Sequence, residues 1–290
     1  MVPATSSKNP LRALLVLGRV SNLPTVWSNC LAGWLLAEGG DHRRLLLLCL
    51  GATCLYLGGM FLNDAFDAES DGQHRRERPI PSGAMSERAV WRWGFAWLAL
   101  GALILVAQGK TTAPLALLLV ASILIYNAAH KLVPFSPLLM AGCRFLLYLV
   151  AASAADAGVT GLAVWSALVM GAYVVGLSYV ASHESNDTPP EYWPCLFLAA
   201  PLVLAYLVNT DAEQSRALLL CAVVVLWIVR CCRFVLWRPH RNLGRAVAGL
   251  LAGIVLIDLL AVVPEGYPIG LIFFLFFGTA LLLQRFVPAT

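Results

Sequence analysis

Long apolar segments limit the possible folds of this chain more than any other feature. A helix that crosses a bilayer needs about 20 mostly apolar residues, and ten segments approach that length. They cover residues 14–37, 45–63, 90–108, 112–130, 136–156, 161–181, 193–209, 216–237, 244–263 and 268–287. Only 12% of the residues are charged, whereas a soluble domain has about 25%. The sequence therefore predicts an all-α, polytopic membrane protein.

The lysines and arginines between these segments predict an orientation. With the N-terminus in the cytoplasm, eleven of them lie on the inside and four on the outside. The inside set is Lys8, Arg12, Arg75, Arg76, Arg78, Arg88, Lys131, Arg238, Arg241, Arg245 and Arg285, and the outside set is Arg43, Arg44, Lys110 and Arg216. The positive-inside rule then places both termini and the loop over residues 63–83 in the cytoplasm. This pattern accounts for the net charge of +4 without a nucleic-acid partner.

An acidic stretch, residues 63–71, follows the second apolar segment directly. If the helix continues, Asn63, Asp67 and Asp71 stand at i, i+4 and i+8, and Asp64 lies near Asp71. Like charges at this spacing repel one another. A hard cation such as Mg²⁺, bound by carboxylates, water and a phosphate, would relieve that repulsion. The alternative is a solvated acidic loop after a membrane helix.

A basic segment punctuated by prolines comes next. It contains Arg75, Arg76 and Arg78, and Pro79 and Pro81 prevent a helix from continuing. Arginines on a short loop beside carboxylates suit a metal-diphosphate site, because guanidinium groups bind the phosphate oxygens that a metal leaves free. The alternative is that these arginines are topological anchors.

Several charged or amide side chains fall inside apolar segments. Arg19 and Asn22 lie in the first segment, and Arg144 lies about two turns into the fifth. A charge at mid-depth costs about 2.5–3.5 kcal/mol on insertion scales, so Arg144 is predicted to face a polar cavity. Arg19 is either functional or extends to the membrane surface. Asp258 could be neutral, paired or exposed to a cavity, and the sequence does not decide among these.

Two further polar groups end predicted spans on the cytoplasmic side. The fourth span ends with Tyr126, His130 and Lys131. The sixth is followed by a loop that contains Glu184 and Asp187. An ordinary polar turn is the alternative reading of the second group.

The acidic and basic motifs together resemble the UbiA superfamily of intramembrane prenyltransferases. The family motif Asn-Asp-x-x-Asp-x-x-x-Asp is complete at residues 63–71, and Arg-Pro-Ile-Pro-Ser-Gly is complete at residues 78–83. Arg19 matches the arginine of the first span. In the Tyr-x-x-x-Lys element, His130 takes the lysine position and Lys131 follows it. More narrowly, the chain is similar to the EboC-type branch.

The resemblance implies one domain over residues 1–290, with nine to ten transmembrane helices around a central cavity. The implied reaction is the Mg²⁺-dependent transfer of a prenyl group from a prenyl diphosphate to an apolar or aromatic acceptor at the inner membrane. Its implied metal ligands are Asn63, Asp64, Asp67, Asp71, Glu184 and Asp187. The implied diphosphate-binding residues are Arg19, Asn22, Arg75, Arg78, His130 and Lys131, and the implied catalytic residues are Tyr126, Lys131 and Arg144.

The second family motif, Asp-x-x-x-Asp, is incomplete in this chain. The loop after the sixth span offers only His183, Glu184, Asn186 and Asp187. This departure leaves an alternative function open, in which a non-catalytic relative binds or transports an apolar or prenylated small molecule. An ion-coupled transporter would predict internal repeats with paired broken helices. It is less favoured, because the sequence shows no clear repeat.

Overall fold

A computed structural model describes residues 10–182, 193–236 and 242–289. These residues form twelve α-helices and short 3₁₀ turns, without a β-strand. The helices are α1 Pro10–Leu17, α2 Leu23–Leu35, α3 His42–Phe66, α4 Ala68–His74, α5 Glu87–Val106, α6 Thr112–Ala129, α7 Ser136–Ser153, α8 Gly161–Ser182, α9 Ala200–Val208, α10 Asp211–Leu236, α11 Leu243–Ala261 and α12 Tyr267–Leu283. The predicted all-α class is confirmed.

Seven of the described helices are long and apolar enough to cross a membrane, namely α3, α5, α6, α7, α8, α10 and α11. Two apolar helical segments are shorter, Cys195–Val208 and Tyr267–Leu283. They correspond to the seventh and tenth predicted spans. The chain is therefore a multi-pass membrane protein.

The first predicted span, residues 14–37, is not one continuous helix. The chain breaks between α1 and α2 at Arg19, whose backbone is left-handed with φ 40° and ψ 49°. This conformation costs a non-glycine residue roughly 1–2 kcal/mol. Pro24, at the start of α2, cannot donate a backbone hydrogen bond to the preceding turn. The break accompanies hydrogen bonds from the Arg19 guanidinium to Asn63 and Asp64.

Glycines allow α3 and α5 to pack with their backbones in contact. A Cβ on Gly58 would lie 2.8 Å from the carbonyl oxygen of Gly94, and one on Gly101 would lie 2.7 Å from that of Gly51. Small residues give this close approach between helices in lipid, where van der Waals packing drives association. The packing fixes the rotation of α3, which carries the acidic motif at its C-terminal end.

The most buried of the membrane-spanning helices is α11, which packs against α2, α8, α10 and α12. The large, fully buried side chains Tyr148 and Tyr173 fill the space beside it. Their hydroxyl groups bond to Asp258 and to the Leu250 carbonyl, both on α11. These two hydroxyl groups are thus satisfied within the bundle, as a lipid environment requires.

Candidate active site

A cavity of about 670 Å³ lies between α2, α3, α6, α7, α8 and α11. The residues of α3 that line it recur every three or four positions and therefore lie on one face of the helix. They are Ala52, Leu55, Tyr56, Gly59, Met60 and Asn63, and Asp67 continues the same face. At about 1.5 Å per residue, Ala52 and Asp67 are about 22 Å apart along the helix axis. Polar residues gather at the Asp67 end, the mouth, and apolar residues at the Ala52 end, the floor.

The acidic motif keeps helical hydrogen bonding across the junction between α3 and α4. The Asp67 amide donates to the Asn63 carbonyl at 3.0 Å, and the Asp71 amide donates to the Asp67 carbonyl at 2.8 Å. The predicted i, i+4, i+8 register is therefore present. Asn63 and Asp67 line the cavity, whereas Asp64 and Asp71 do not.

Asp64 connects two arginines from different parts of the chain. Its Oδ1 lies 3.4 Å from Arg19 Nη2 and 3.2 Å from Arg78 Nη1. The residue is only 3% exposed, and its Oδ2 is buried without a hydrogen-bond partner in the described residues. Burial lowers the pKa of the Arg78 guanidinium, which Asp64 partly opposes. Asp64 thus holds both arginines at the mouth.

Asp67 is paired with the end of α6. Lys131 Nζ lies 2.6 Å and His130 Nε2 3.3 Å from Asp67 Oδ1. Burial alone would raise the pKa of Asp67, but the close approach of His130 and Lys131 holds it below its usual value. The Tyr126 ring stacks on that of His130, with centroids 5.2 Å apart. The mouth therefore has a carboxylate that is paired with Lys131 and contacts His130.

The structure brings most of the predicted site residues to one cavity. The predicted residues that line it are Arg19, Asn22, Asn63, Asp67, Arg75, Arg78, Tyr126, His130, Lys131 and Arg144. Asn22 also donates to the Ala289 carbonyl at 2.9 Å. Glu184 and Asp187 lie outside the described residues.

Sequence reasoning missed two polar residues of the cavity wall. Asn127 accepts a hydrogen bond from Asn63 at 3.2 Å and donates one to the Gly59 carbonyl at 3.1 Å, so it fixes the Asn63 amide. The Tyr56 hydroxyl donates to the Arg19 carbonyl at 3.3 Å. Tyr56 and Asn63 share a face of α3 seven residues apart, and that spacing was the available signal.

A buried polar network behind the cavity wall was also missed. It joins Arg144 on α7 to Asp258 on α11 through Asn29 on α2. The sequence marks Asn29 and Asp258 as polar residues within apolar segments. They are 229 positions apart, and no local sequence pattern indicates that they are in contact.

The sequence over residues 25–287 matches the UbiA prenyltransferase family. The chain belongs to this family. Similar relatives include two proteins named digeranylgeranylglyceryl phosphate synthase. That of Methanoregula boonei is 30% identical over 125 residues, which are 43% of this chain and 45% of the relative. That of Sulfolobus acidocaldarius is 28% identical over 171 residues, 59% of this chain and 58% of the relative. The alignments thus span about half of each relative.

Solved structures of UbiA homologues share the fold. The apo structure of the homologue from Aeropyrum pernix superposes with a TM-score of 0.69 at 18% identity, covering 87% of this chain and 99% of the homologue. The homologue from Archaeoglobus fulgidus bound to GPP and Mg²⁺ gives 0.64 at 15% identity, with 94% and 99% covered. The resemblance to the UbiA superfamily is confirmed, and the EboC-type branch stays a prediction.

The residues at the mouth suit a magnesium ion that is shared with a substrate. No group of three or more His, Cys, Asp or Glu residues within the described ranges forms a metal site by itself. Mg²⁺ needs no such group, because it binds through one or two carboxylates, water and substrate phosphates. Asn63 and Asp67, which both carry side-chain oxygen atoms, line the cavity, and Asp71 is one helical turn beyond. This donor set fits Mg²⁺ only with phosphate oxygens added.

Proposed function

We propose that this UbiA-family protein is a Mg²⁺-dependent prenyltransferase that transfers a prenyl group from a prenyl diphosphate to an apolar or aromatic acceptor at the membrane. One observation carries the proposal. A single cavity joins a mouth with carboxylate, amide, arginine and lysine groups to an apolar floor about 22 Å away along α3. An amphiphile with a charged diphosphate and a long hydrocarbon chain matches that division.

The mouth supplies basic side chains for the diphosphate. Arg19, Arg75, Arg78, His130 and Lys131 all line it. Guanidinium groups bind phosphate oxygens through two parallel N–H donors, and lysine acts as a point charge. These groups are organised before a ligand arrives, because Asp64 and Asp67 hold four of them.

Asn63, Asp67 and Asp71 would hold Mg²⁺, which supplies positive charge against the leaving diphosphate. Glu184 and Asp187, the predicted ligands of a second ion, lie outside the described residues and stay a prediction. Asp64 was also predicted as a ligand. Its pairing with Arg19 and Arg78 supports a scaffolding role instead.

The transfer breaks the bond between the allylic carbon and its diphosphate oxygen, and the electron pair leaves with the diphosphate. The acceptor supplies the pair for the new bond to that carbon and then loses a proton to the released diphosphate. Lys131 donates to the leaving oxygens, and Arg144 contributes further donors from the wall. The Tyr126 ring, at the same cavity, attracts the developing allylic cation.

The apolar part of the cavity protects that cation from water. Leu55, Leu119, Leu147 and Ile254 line it and are almost completely buried. Exclusion of water prevents hydrolysis of a reactive intermediate. The acceptor enters the same apolar space, and the names of the relatives point to a glyceryl phosphate lipid as one candidate.

The proposed location is the inner membrane, with the N-terminus and the cavity mouth on the cytoplasmic side. The excess of lysine and arginine on that side supports it. A cysteine introduced at Ser82, in a background without accessible native cysteines, should react with an impermeant thiol reagent only from the cytoplasmic face. Labelling from the periplasmic face alone would reverse the orientation.

The function is tested with purified protein, geranylgeranyl diphosphate and a panel of aromatic and glyceryl phosphate acceptors. We expect a prenylated product by mass spectrometry with Mg²⁺ and none after chelation. Asp67→Asn should abolish Mg²⁺-dependent binding, whereas Glu69→Gln, an exposed neighbour outside the cavity, should not. Absence of diphosphate binding in folded protein, across several prenyl chain lengths, would exclude the transferase and favour the non-catalytic carrier.

A further inference from the structure

Asp258 is a fully buried carboxyl group in the middle of α11, with 0% of its surface exposed. Three side chains donate hydrogen bonds to it. Asn29 Nδ2 lies 2.9 Å from one carboxyl oxygen and 2.8 Å from the other. The Ser28 hydroxyl bonds to one oxygen and the Tyr148 hydroxyl to the other. A carboxyl group inside a membrane protein is costly and usually functional, and this one is fully supplied with donors.

The Asn29 amide has one possible orientation. Arg144 Nη1 lies 2.6 Å from the Asn29 side-chain atom that faces it. Because arginine has donors and no acceptor, that atom must be the amide oxygen. The amide nitrogen therefore points to Asp258. Asn29 thus donates to the Asp258 carboxyl group with its nitrogen and accepts from the Arg144 guanidinium with its oxygen, so it links the two groups.

Thr25 completes the binding of Arg144. Nη1 donates to the Thr25 carbonyl at 3.2 Å, and Nη2 donates to its hydroxyl at 2.9 Å. Both contacts are on α2, so they hold the guanidinium against that helix. Among the described residues, the Nε–H and one Nη2–H have no hydrogen-bond partner. These two donors remain for a ligand.

Only one member of this network lines the cavity. Arg144 is part of the wall, whereas Thr25, Asn29, Tyr148 and Asp258 lie behind it. An arginine has several rotatable bonds and carries its charge at a depth where an unpaired charge is unfavourable. The buried Asp258 carboxyl group is held by Ser28 and Tyr148. Through Asn29 it gives the Arg144 guanidinium a fixed hydrogen-bonding partner.

We propose that Asp258 is a positioning residue for prenyl transfer, which acts through Asn29 to hold the Arg144 guanidinium at the cavity wall. The proposal rests on the proposed function for the reaction that Arg144 serves. Donors that are already oriented need no reorganisation as charge develops, and this is the source of their catalytic effect. Precise positions of this kind depend on the residues that surround the donor.

The first test is a double-mutant cycle on turnover. Asp258→Asn keeps the shape of the side chain and replaces one acceptor oxygen with a donor, so it disrupts the match with Asn29. We expect it to lower kcat at least tenfold. In an Arg144→Gln background the same change should lower kcat less than twofold further, because the group that it positions is absent. Equal losses in the two backgrounds would overturn the proposal. A general effect on folding would lower kcat by the same factor whether or not Arg144 is present.

A matched pair of tyrosines separates positioning from packing. Tyr148→Phe removes a donor to Asp258, and Tyr173→Phe removes a donor to the Leu250 carbonyl, 2.8 Å away on the same helix. Both tyrosines are fully buried. Tyr148→Phe should lower kcat several-fold while Tyr173→Phe leaves it within twofold, at similar melting temperatures. Equal kinetics would assign the network to stability alone. This comparison also tests the positioning role of Asp258 if the Asp258→Asn variant does not fold.

A measurement without substrate distinguishes this proposal from the proposed function. Nitrogen-15 NMR of arginine-labelled protein, with Arg144 assigned from the Arg144→Gln spectrum, reports whether its Nη–H groups are held. We expect separate, slowly exchanging signals in the wild-type protein and their loss in Asp258→Asn. Unchanged signals would overturn the proposal even if the enzyme is active. Signals that are present in the wild-type protein and lost in Asp258→Asn, in protein that shows no turnover, would support positioning while the proposed function fails.

Discussion

Lys131 Nζ lies 2.6 Å from Asp67 Oδ1, so a lysine just beyond the C-terminal end of α6 neutralises a carboxylate of the acidic motif. His130 contacts the same oxygen. Asp67 is thereby held charged and oriented at the mouth before a ligand binds. If the proposed Mg²⁺ and diphosphate bind together, Asp67 would hold the metal and Lys131 would bind the diphosphate, in place of this pairing.

Lys131→Met should change the affinities for metal and diphosphate in opposite directions. Mg²⁺ or Mn²⁺ alone should bind more tightly, because a competing cation leaves Asp67. The diphosphate, in saturating Mg²⁺, should bind about 10-fold more weakly, as expected for a lost charged hydrogen bond of about 1.5 kcal/mol. Calorimetry of each ligand measures both effects. Lys110→Met, in the turn before α6 at the opposite end of the helix, is the control, and a parallel change in both affinities would contradict the exchange.

Asp64→Asn should affect stability and Asp71→Asn should affect metal binding, so the two variants distinguish a scaffolding aspartate from a metal ligand. Asp64 pairs with Arg19 and Arg78, so its neutralisation should lower the free energy of unfolding by about 1–3 kcal/mol. Asp71 has no side-chain partner in the described part of the chain. Its substitution should weaken Mg²⁺-dependent binding and leave stability unchanged. Thermal unfolding in detergent and diphosphate titration test both, and a stable Asp64→Asn protein would refute the scaffolding role.

Ala52→Leu should shorten the prenyl chain that the cavity accepts. Ala52 lies at the floor and is 2% exposed, so a larger side chain occupies space needed by the far end of the substrate. We expect the ratio of kcat/KM for geranyl over geranylgeranyl diphosphate to rise at least tenfold. Ala116→Leu places the same bulk at a buried site on α6 outside the cavity. An equal shift in that variant would mean that the effect is not local to the floor.

Gly58→Ala should destabilise the protein, because its Cβ would lie 2.8 Å from the Gly94 carbonyl oxygen. A backbone atom cannot move aside, so α3 and α5 must separate. Overpacking of this kind costs about 1–3 kcal/mol. Gly72→Ala in α4 meets nothing within 4 Å and should be neutral or stabilising by up to about 1 kcal/mol. Chemical or thermal unfolding compares the two, and equal stabilities would disprove close backbone packing.

Local patterns in the sequence were sufficient for the fold class and for much of the site. The apolar segments predict membrane helices because the bilayer imposes their length and composition. The register of Asn63, Asp67 and Asp71 follows from helical periodicity, and the structure retains it. Both depend on residues near each other in the chain, which is the range over which residue type and spacing carry information.

The tertiary structure alone decided which polar groups meet. Arg19 leaves the helix predicted for residues 14–37 and reaches Asp64, 45 positions away. Arg144 bonds to Asn29 over 115 positions, and Asn29 bonds to Asp258 over 229. Periodicity marks each residue as polar in an apolar segment, but the partner depends on how α2, α7 and α11 pack. That packing is set by shape, through close approaches such as Gly33 of α2 against the Tyr148 backbone, and no local pattern encodes it.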